Sequence, residues 1–287
     1  KGMKVVTQDS EFLEQLASAQ REAKAAFGSD QVFIEKYIQN PRHIEIQIMC
    51  DEFGNRLHFF ERECSIQRRH QKIFEETPSP ALTPELRGRI ADAALRLAEA
   101  AGYINAGTVE FLLDDKNNFY FMELNTRLQV EHPVTELVCG VDLVQMQFAV
   151  AHGHKLSLKQ SDITQRGHSL EVRVYAENPA QEFLPSTGEF ARLDLPQGPH
   201  RRFDFGFEPG DSITPLYDPM IGKIITWAPT RLENIQRMLA TLSETVIFGV
   251  HTNIEFLKDV LRDKDFRNGK FSTGFLEAKY KSGFVLP

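Results

Sequence analysis

The chain has 287 residues, of which 41% are hydrophobic and 25% are charged, a composition typical of globular proteins with a sizeable core. Its 33 Lys and Arg residues are outnumbered by 40 Asp and Glu residues, and the net charge of −7 argues against nucleic-acid binding. The apolar runs are far shorter than the ~20 residues that cross a bilayer, so we expect no membrane insertion. Three widely spaced cysteines predict neither a disulfide framework nor a metal site, which favours a reducing compartment.

The first half of the chain predicts helices alternating with strand hairpins. In the strand His43 to Cys50, three isoleucines alternate with polar residues, so one face is expected in a core. The other predicted elements are a helix Glu11 to Phe27 with Asp9 and Ser10 as capping candidates and Gly28 as its end, strands Gln31 to Ile38 and Arg56 to Cys64, a helix from Thr83-Pro84 to Gly102, a second hairpin, and a helix pair ending at Gly153.

The second half predicts an antiparallel β unit closed by two helices. A polar stretch, Ser157 to Gly167, is the expected boundary, giving domains over 1–165 and 166–287 and an α+β fold class. The predicted elements are strands Ser169 to Ala176, Gly188 to Leu195, Arg201 to Phe207 and Met220 to Trp227, and helices Arg231 to Leu242 and Asn253 to Leu261.

The second hairpin, Gly107 to Asn125, gathers acidic residues. A four-residue loop from Asp115 to Asn118 places Glu110 directly opposite Glu123, with Cβ atoms ~5 Å apart. Two carboxylates at that distance repel by roughly 3 kcal/mol at an effective dielectric constant of about 20. A divalent cation would remove the repulsion, and with Asn125 as a third oxygen ligand we expect Mg²⁺ or Mn²⁺. The alternative is a solvated hairpin with unpaired acids, which a one-residue register slip would produce.

Polar residues continue at every second position after the hairpin. A straight strand would separate the first from the last of them by ~26 Å, too far to share a small ligand. Either the chain bends toward His132-Pro133, or, as we favour, a metal and nucleotide end and a small-anion end serve different subsites. These residues are Glu123, Asn125, Arg127, Gln129 and Glu131.

A basic stretch from Arg62 to Lys72 is a candidate clamp for phosphates or carbonate-like anions. The alternative is a solvated strand edge with extended side chains. Further along, Glu171 and Arg173 stand two residues apart on one predicted strand, a spacing that suits an ion pair.

Several of these stretches together resemble the biotin carboxylase component of biotin-dependent carboxylases, and the similarity runs nearly end to end. The resemblance implies a partial ATP-grasp domain over 1–165, followed by the carboxylase C-terminal antiparallel β domain with helices. It also makes Lys1-Gly2-Met3 the tail of a glycine-rich phosphate loop. The matching strings are Glu35-Lys36-Tyr37-Ile38, Asn40-Pro41-Arg42-His43, Gln67-Arg68-Arg69-His70, Glu123-Leu124-Asn125-Thr126-Arg127, Gln129-Val130-Glu131-His132-Pro133 and Tyr217-Asp218-Pro219-Met220.

The resemblance also implies the role of each site residue. Glu131 is expected as the general base, and Arg173 as the residue that meets both bicarbonate and the biotin ureido oxygen. The remaining expectations are an adenine hinge at Glu35, Lys36, Tyr37 and Ile38, ribose and phosphate contacts from His43, Gln67 and His70, purine packing on Leu112, metal ligands Glu110, Glu123 and Asn125, and a bicarbonate site of Lys72, Arg127, Gln129 and the Val130 N–H group.

The implied activity is ATP- and Mg²⁺-dependent carboxylation of biotin on a carrier protein, with bicarbonate activated as carboxyphosphate. Expected partners are a biotin carboxyl carrier and a carboxyltransferase, in a homodimer or larger complex that serves an acetyl-, propionyl- or methylcrotonyl-CoA carboxylase. Pro133 favours these over a pyruvate enzyme, and the compartment would be the cytoplasm, or the mitochondrial matrix in a eukaryote. The alternatives are another ATP-grasp ligase, such as one making carbamoyl phosphate, and a non-catalytic fragment; we expect the isolated chain to bind nucleotide weakly and to turn over little.

Overall fold

The computed structural model describes residues 2–281 and 283–285, so Lys1 of the predicted phosphate-loop tail lies outside the described residues. The chain forms two compact units, Lys1–Gln39 and Asn40–Pro287. In the first unit a 3-10 turn, Asp9–Glu11, leads into helix α1 (Phe12–Phe27), which ends at Gly28 with a φ of 76°. The predicted helix is therefore confirmed. Its predicted caps are wrong, because Asp9 and Ser10 lie inside the 3-10 turn that precedes the helix.

The predicted strand from Gln31 to Ile38 is wrong. These residues form neither a helix nor a strand, although their β-branched content suits an extended chain. A strand requires a neighbouring backbone that completes its hydrogen bonds, and none does so within residues 2–39.

The second unit is built from antiparallel strands and seven helices among its described residues. The strands are β1 (Arg42–Cys50), β2 (Arg56–Arg68), β3 (Gln71–Thr77), β4 (Asn105–Leu113), β5 (Phe119–Asn125), β6 (His168–Tyr175), β7 (Glu177–Asn178), β8 (Leu184–Pro185), β9 (Gly188–Glu189), β10 (Arg192–Asp194), β11 (Arg201–Phe205), β12 (Ser212–Ile213), β13 (Met220–Ala228) and β14 (Val246–Phe248). The helices are α2 (Pro84–Ala100), α3 (His132–Cys139), α4 (Leu143–Ala151), α5 (Arg231–Glu244), α6 (Ile254–Arg262), α7 (Lys264–Arg267) and α8 (Phe275–Lys279).

Eight strands form one sheet in the order β11-β13-β6-β3-β2-β1-β4-β5, with every neighbouring pair antiparallel. The sheet crosses the predicted boundary near residue 165, because β3 pairs with β6; the division into 1–165 and 166–287 stays a prediction. The single strand predicted from Gly188 to Leu195 is instead two short strands. They separate because β9 pairs with β12 whereas β10 pairs with β14.

Strand β1 has two buried faces of opposite character. Ile44, Ile46 and Ile48 pack with helix α2 in one hydrophobic cluster, and burying each isoleucine stabilises the fold by about 2 kcal/mol. Helix α2 begins as predicted, because the Thr83 side chain accepts a hydrogen bond of 3.3 Å from the Leu86 N–H group. The alternate residues His43, Glu45 and Gln47 are also buried, on the face that carries the site described below.

Among the described residues, no single helix is long and apolar enough to cross a membrane. Helices α3 and α4, which meet at an angle of 99°, reach the required length and hydropathy only when they are taken together.

Candidate active site

The hairpin of β4 and β5 pairs Glu110 with Glu123, as predicted, but by a different route. Its turn has five residues, since Leu113 pairs with Phe119, and this shifts the register by one. A β-bulge between Glu110 and Phe111 then restores the predicted pairing. Side chains of directly opposed residues project from the same face of a sheet, so both acids belong to the face that carries Glu45.

The two paired acids have different environments. Glu110 is buried and accepts hydrogen bonds from Lys72 Nζ at 3.0 Å and Gln129 Nε2 at 2.7 Å, while His43 Nε2 lies 3.0 Å away. Burial raises the pKa of Glu110, but His43 and Lys72 outweigh burial and hold that pKa well below its usual range. Glu123 is exposed, and its carboxylate accepts a hydrogen bond of 3.1 Å from Asn125 Nδ2.

Lys72 joins three carboxylates at the centre of the site. Its Nζ donates to Glu45, to Glu110, and to Glu131 at 2.6 Å. Burial lowers the pKa of Lys72, but the three carboxylates raise it well above its usual range. Burial raises the pKa of Glu45 in turn, whereas Arg62 and Lys72 together lower it to about 2. Lys72 is therefore a fixed cation.

Arg62 lies elsewhere than the sequence predicts. It was predicted to belong to an anion clamp, but its side chain is fully buried beneath the site. The missed signal is in the register, since Arg62 is the direct partner of Glu45 across β1 and β2. The guanidinium donates to Glu45, Gln47 at 2.7 Å, Thr135 at 3.1 Å, Thr108 at 3.2 Å and Gln129 at 2.9 Å.

The rest of the predicted basic clamp is divided among separate surroundings. Arg68 pairs with Glu177 at 2.6 Å and lies over the Phe183 ring, 4.2 Å from its centroid. His70 is exposed in the turn between β2 and β3, with a φ of 65°. Gln67 Nε2 lies 2.8 Å from His43 Nδ1 and so joins the site. The stretch therefore does not act as one clamp.

The segment after β5 does not continue as a straight strand but bends back into the site, as one of the two predicted alternatives requires. Strand β5 ends at Asn125, and the following residues leave the strand conformation before α3 begins at His132. The bend brings Gln129 to Glu110 and Glu131 to Lys72. Arg127, at the outer edge of the bend, is exposed.

Glu131 lies between two cations. Arg173 reaches it from β6, with Nη2 3.1 Å from a Glu131 oxygen, while Lys72 approaches from β3. Arg173 Nε also donates to Glu75 at 2.6 Å, so the hypothesis of an ion pair with Glu171 is wrong. The partners of Arg173 are therefore Glu75, on the neighbouring strand β3, and Glu131, at the start of α3, rather than a residue on its own strand.

Comparisons with known proteins agree with this architecture. Residues 1–159 match the family model described as carbamoyl-phosphate synthase L chain, ATP binding domain, and residues 171–278 match the biotin carboxylase C-terminal domain. The chain belongs to the biotin carboxylase family.

Relatives in this family come from distant organisms. The chain is 51% identical to biotin carboxylase 1, chloroplastic, of Populus trichocarpa over 100% of its own length and 54% of the relative. It is 49% identical to a pyruvate carboxylase subunit of Methanothermobacter thermautotrophicus over 98% of this chain and 57% of that one. The chain thus spans about half the length of these relatives.

A solved structure in the biotin carboxylase family has the same fold. It is the biotin carboxylase domain dimer of Hydrogenobacter thermophilus 2-oxoglutarate carboxylase, in complex with MgADP, ADP and bicarbonate. The TM-score is 0.91 at 44% identity, over 97% of this chain and 61% of that one. The predicted ATP-grasp and C-terminal biotin carboxylase architecture is thereby confirmed.

The structure joins some, but not all, of the residues that the family resemblance singled out. Leu112 is the register partner of His43 on β1. Glu35, Lys36, Tyr37 and Ile38 belong to the first compact unit, outside the sheet. One connected group of hydrogen bonds and ion pairs in the second unit contains His43, Gln67, Lys72, Glu110, Gln129, Glu131 and Arg173.

Proposed function

We propose that the protein carboxylates biotin, carried on a biotin carboxyl carrier, by activating bicarbonate with ATP. The observation that carries this proposal is the position of Glu131 between Lys72 and Arg173. Lys72 also contacts Glu110, so Glu131 is connected to Glu110 through a single side chain. A buried carboxylate flanked by two fixed cations suits the removal of a proton from a small anion, since the cations hold the anion while the carboxylate accepts the proton.

In the proposed first step, Glu131 takes the bicarbonate proton. The bicarbonate oxygen then forms a bond to the γ-phosphorus of ATP, the bond to ADP breaks, and carboxyphosphate results. We propose that bicarbonate is held by Lys72, Arg127, Gln129 and the Val130 N–H group, with Arg173 as a further contact. The presence of bicarbonate in the Hydrogenobacter thermophilus structure supports a bicarbonate site in a protein of this fold.

The residues at the end of the β4–β5 hairpin suit a hard divalent cation. Glu110 and Glu123 are register partners, and Asn125 Nδ2 donates a hydrogen bond to Glu123, so two carboxylates and an amide lie on one face. Mg²⁺ and Mn²⁺ prefer the oxygen ligands that these groups carry. When bound, the ion supplies neutralisation of the charge on the transferred phosphoryl group. For the nucleotide, we propose that the ribose and phosphates contact His43, Gln67 and His70 and that the purine packs on Leu112. The adenine hinge at Glu35, Lys36, Tyr37 and Ile38 stays a prediction.

In the second proposed step, carboxyphosphate releases carbon dioxide and the departing phosphate removes the biotin N1 proton. Arg173 stabilises the negative charge that develops on the ureido oxygen, and the biotin nitrogen then attacks carbon dioxide. A fixed donor aimed at a developing oxyanion contributes about 3 to 4 kcal/mol.

The final acceptor of the carboxyl group depends on partner proteins rather than on residues of the sheet. We propose an acetyl-, propionyl- or methylcrotonyl-CoA carboxylase with a carboxyltransferase partner and a homodimeric or larger assembly. The dimer of the Hydrogenobacter thermophilus relative supports the assembly, whereas the match to a pyruvate carboxylase weakens the choice of acyl-CoA. A cytoplasmic or mitochondrial location stays a prediction.

The test is ADP release from Mg-ATP by this chain, with and without bicarbonate and free biotin. We expect slow release that requires bicarbonate, rises with biotin, and is lost in Glu131→Gln but retained in Glu244→Gln, a control at an exposed surface pair. ADP release that is indifferent to biotin would favour a carbamoyl-phosphate type of ligase. A chain that shows no heat of Mg-ATP binding in calorimetry would favour a non-catalytic role.

A further inference from the structure

Two carboxyl groups behind Arg173 are not explained by the proposed reaction. Glu75 on β3 and Glu171 on β6 are direct register partners, and both are fully buried. Three of their four oxygens, Glu75 Oε2 and both oxygens of Glu171, have no hydrogen-bond partner among the described residues. The fourth, Glu75 Oε1, accepts the bond from Arg173 Nε.

Unpartnered buried carboxylate oxygens are rare, because a buried acceptor that loses water without gaining a donor is costly. Two ionised carboxylates can only accept hydrogen bonds, so neither acid can satisfy the other. A single proton changes this, since a protonated carboxyl group donates to a neighbouring carboxylate and the like-charge repulsion disappears.

The charges that face Glu171 leave one acid in excess. Lys223, on β13, has its Nζ 3.9 Å from Glu171. That Nζ donates to the Val130 carbonyl and lies nearer to Asp204, at 3.5 Å, than to Glu171. Asp204 is partly exposed and also accepts a hydrogen bond from Arg202. Apart from the His43 imidazole, the exposed Glu123 and the partly exposed Asp204, the charged layer on this face of the sheet contains five acids and four cations. The acids are Glu45, Glu75, Glu110, Glu131 and Glu171, and the cations are Arg62, Lys72, Arg173 and Lys223.

The electrostatic environment of the two acids agrees with this count. Burial raises the pKa of Glu171 well above its usual range, more than Lys223 lowers it. Burial likewise raises the pKa of Glu75 despite the adjacent Arg173. Glu45, by contrast, is just as buried and has a lowered pKa, because Arg62 and Lys72 both contact it.

We propose that Glu75 and Glu171 share one proton, which Glu171 donates to Glu75, and that Glu171 is a positioning residue for Arg173. When Glu171 is neutral, Glu75 carries the only negative charge of the pair and accepts the hydrogen bond from Arg173 Nε. This hydrogen bond orients the guanidinium so that Nη2 donates to Glu131. The positioning role rests on the proposed function, whereas the shared proton does not.

Infrared spectroscopy of the chain at mildly alkaline pH tests the shared proton directly. With ¹³C-labelled glutamate, we expect one protonated-carboxyl C=O band to persist where ordinary carboxyl groups are ionised. Glu171→Gln and Glu75→Gln should each abolish that band, because either change leaves as many cations as acids. Glu76→Gln is the matched control, since Glu76 is the neighbouring buried acid on the opposite face and is already paired with Arg231 and His168; there the band should remain.

The outcomes separate this inference from the proposed function. Absence of the band from the unaltered chain, or its survival in either Glu171→Gln or Glu75→Gln, overturns the shared proton whether or not the chain carboxylates biotin. If one glutamine variant fails to fold, the other variant and the unaltered chain still decide the question. For the positioning role, we expect Glu171→Leu to bind bicarbonate at least ~10-fold more weakly than the unaltered chain. Glu171→Gln retains a donor for Glu75 and should bind bicarbonate nearly normally. If the band behaves as expected but Glu171→Leu binds bicarbonate as tightly as the unaltered chain, the positioning role is wrong.

Discussion

Glu75 and Glu76, adjacent residues on β3, belong to two buried ionic clusters on opposite faces of the sheet. The clusters differ in how completely their charges are paired. Glu76 accepts from His168 at 2.8 Å and from Arg231 Nε and Nη2 at 2.6 and 2.9 Å, and Arg231 also donates to two backbone carbonyls. On the opposite face, Glu75 keeps an unpartnered oxygen and Lys72 is divided among three acids. Complete pairing in the first cluster suits a structural role, whereas incomplete pairing in the second suits the ligand site proposed above.

The largest effect on stability should come from breaking the fully paired cluster. Arg231→Met leaves Glu76 buried without its bidentate partner, and removing one member of a buried pair costs about 3 to 5 kcal/mol. Urea unfolding measures this free energy. The control is Arg192→Met at an exposed pair, which should cost under ~1 kcal/mol, and similar costs for both variants would contradict the comparison.

Changing the incompletely paired cluster should affect the proposed chemistry. Arg173→Met should lower bicarbonate-dependent ADP release in the presence of biotin by about two to three powers of ten, equivalent to about 3 to 4 kcal/mol of transition-state stabilisation. Arg201→Met, which removes a cation from a surface pair, is the control. Equal rates in the two variants would show that Arg173 has no part in the reaction.

Acid should weaken both clusters over the same pH range. The pKa of Glu45 and that of Glu76 are each lowered to about 2 from 4.5 because their cationic partners outweigh burial. A lowered pKa stabilises the fold above about pH 4.5, and that stability is lost as the pH falls toward 2, on the order of 3 kcal/mol for each group. Urea unfolding between these limits should show a shallower pH dependence in Glu76→Gln than in the exposed control Glu52→Gln, and identical slopes would refute the assignment.

The smallest effect is expected at the exposed acid of the hairpin pair. Glu123→Gln should weaken Mg-ATP binding about 10-fold, or ~1.4 kcal/mol, because an amide oxygen is a poorer ligand for Mg²⁺ than a carboxylate. Isothermal titration calorimetry measures the change. Asp115→Asn removes an acid from the turn of the same hairpin and should leave the affinity unaltered. If both variants bind alike, Glu123 is not a metal ligand.

Local patterns were sufficient to predict the two faces of β1 and the pairing of Glu110 with Glu123. Even there, the loop length was wrong and a bulge compensated, since the sequence does not reveal where a bulge forms. The alternation of polar and apolar residues predicted neither the bend after Asn125 nor the absence of a strand at Gln31, because both depend on partners distant in sequence.

The buried charges were hardest to predict for the same reason. Arg62 resembles a surface cation until its register with Glu45 is known, and Glu75 meets Glu171 only because β3 lies beside β6. Burial and pairing of this kind are properties of the assembled sheet, so the five acids and four cations of the charged layer could not be balanced from the sequence.

The central claim is that this face of the sheet binds bicarbonate at Lys72, Glu131 and Arg173. The most direct measurement is a titration of ¹³C-bicarbonate with the chain in the presence of Mg-ADP, followed by the bicarbonate resonance. We predict saturable broadening with the unaltered chain, its loss in Arg173→Met, and its retention in Arg201→Met. No broadening with the unaltered chain, or equal broadening in Arg173→Met, would contradict the claim.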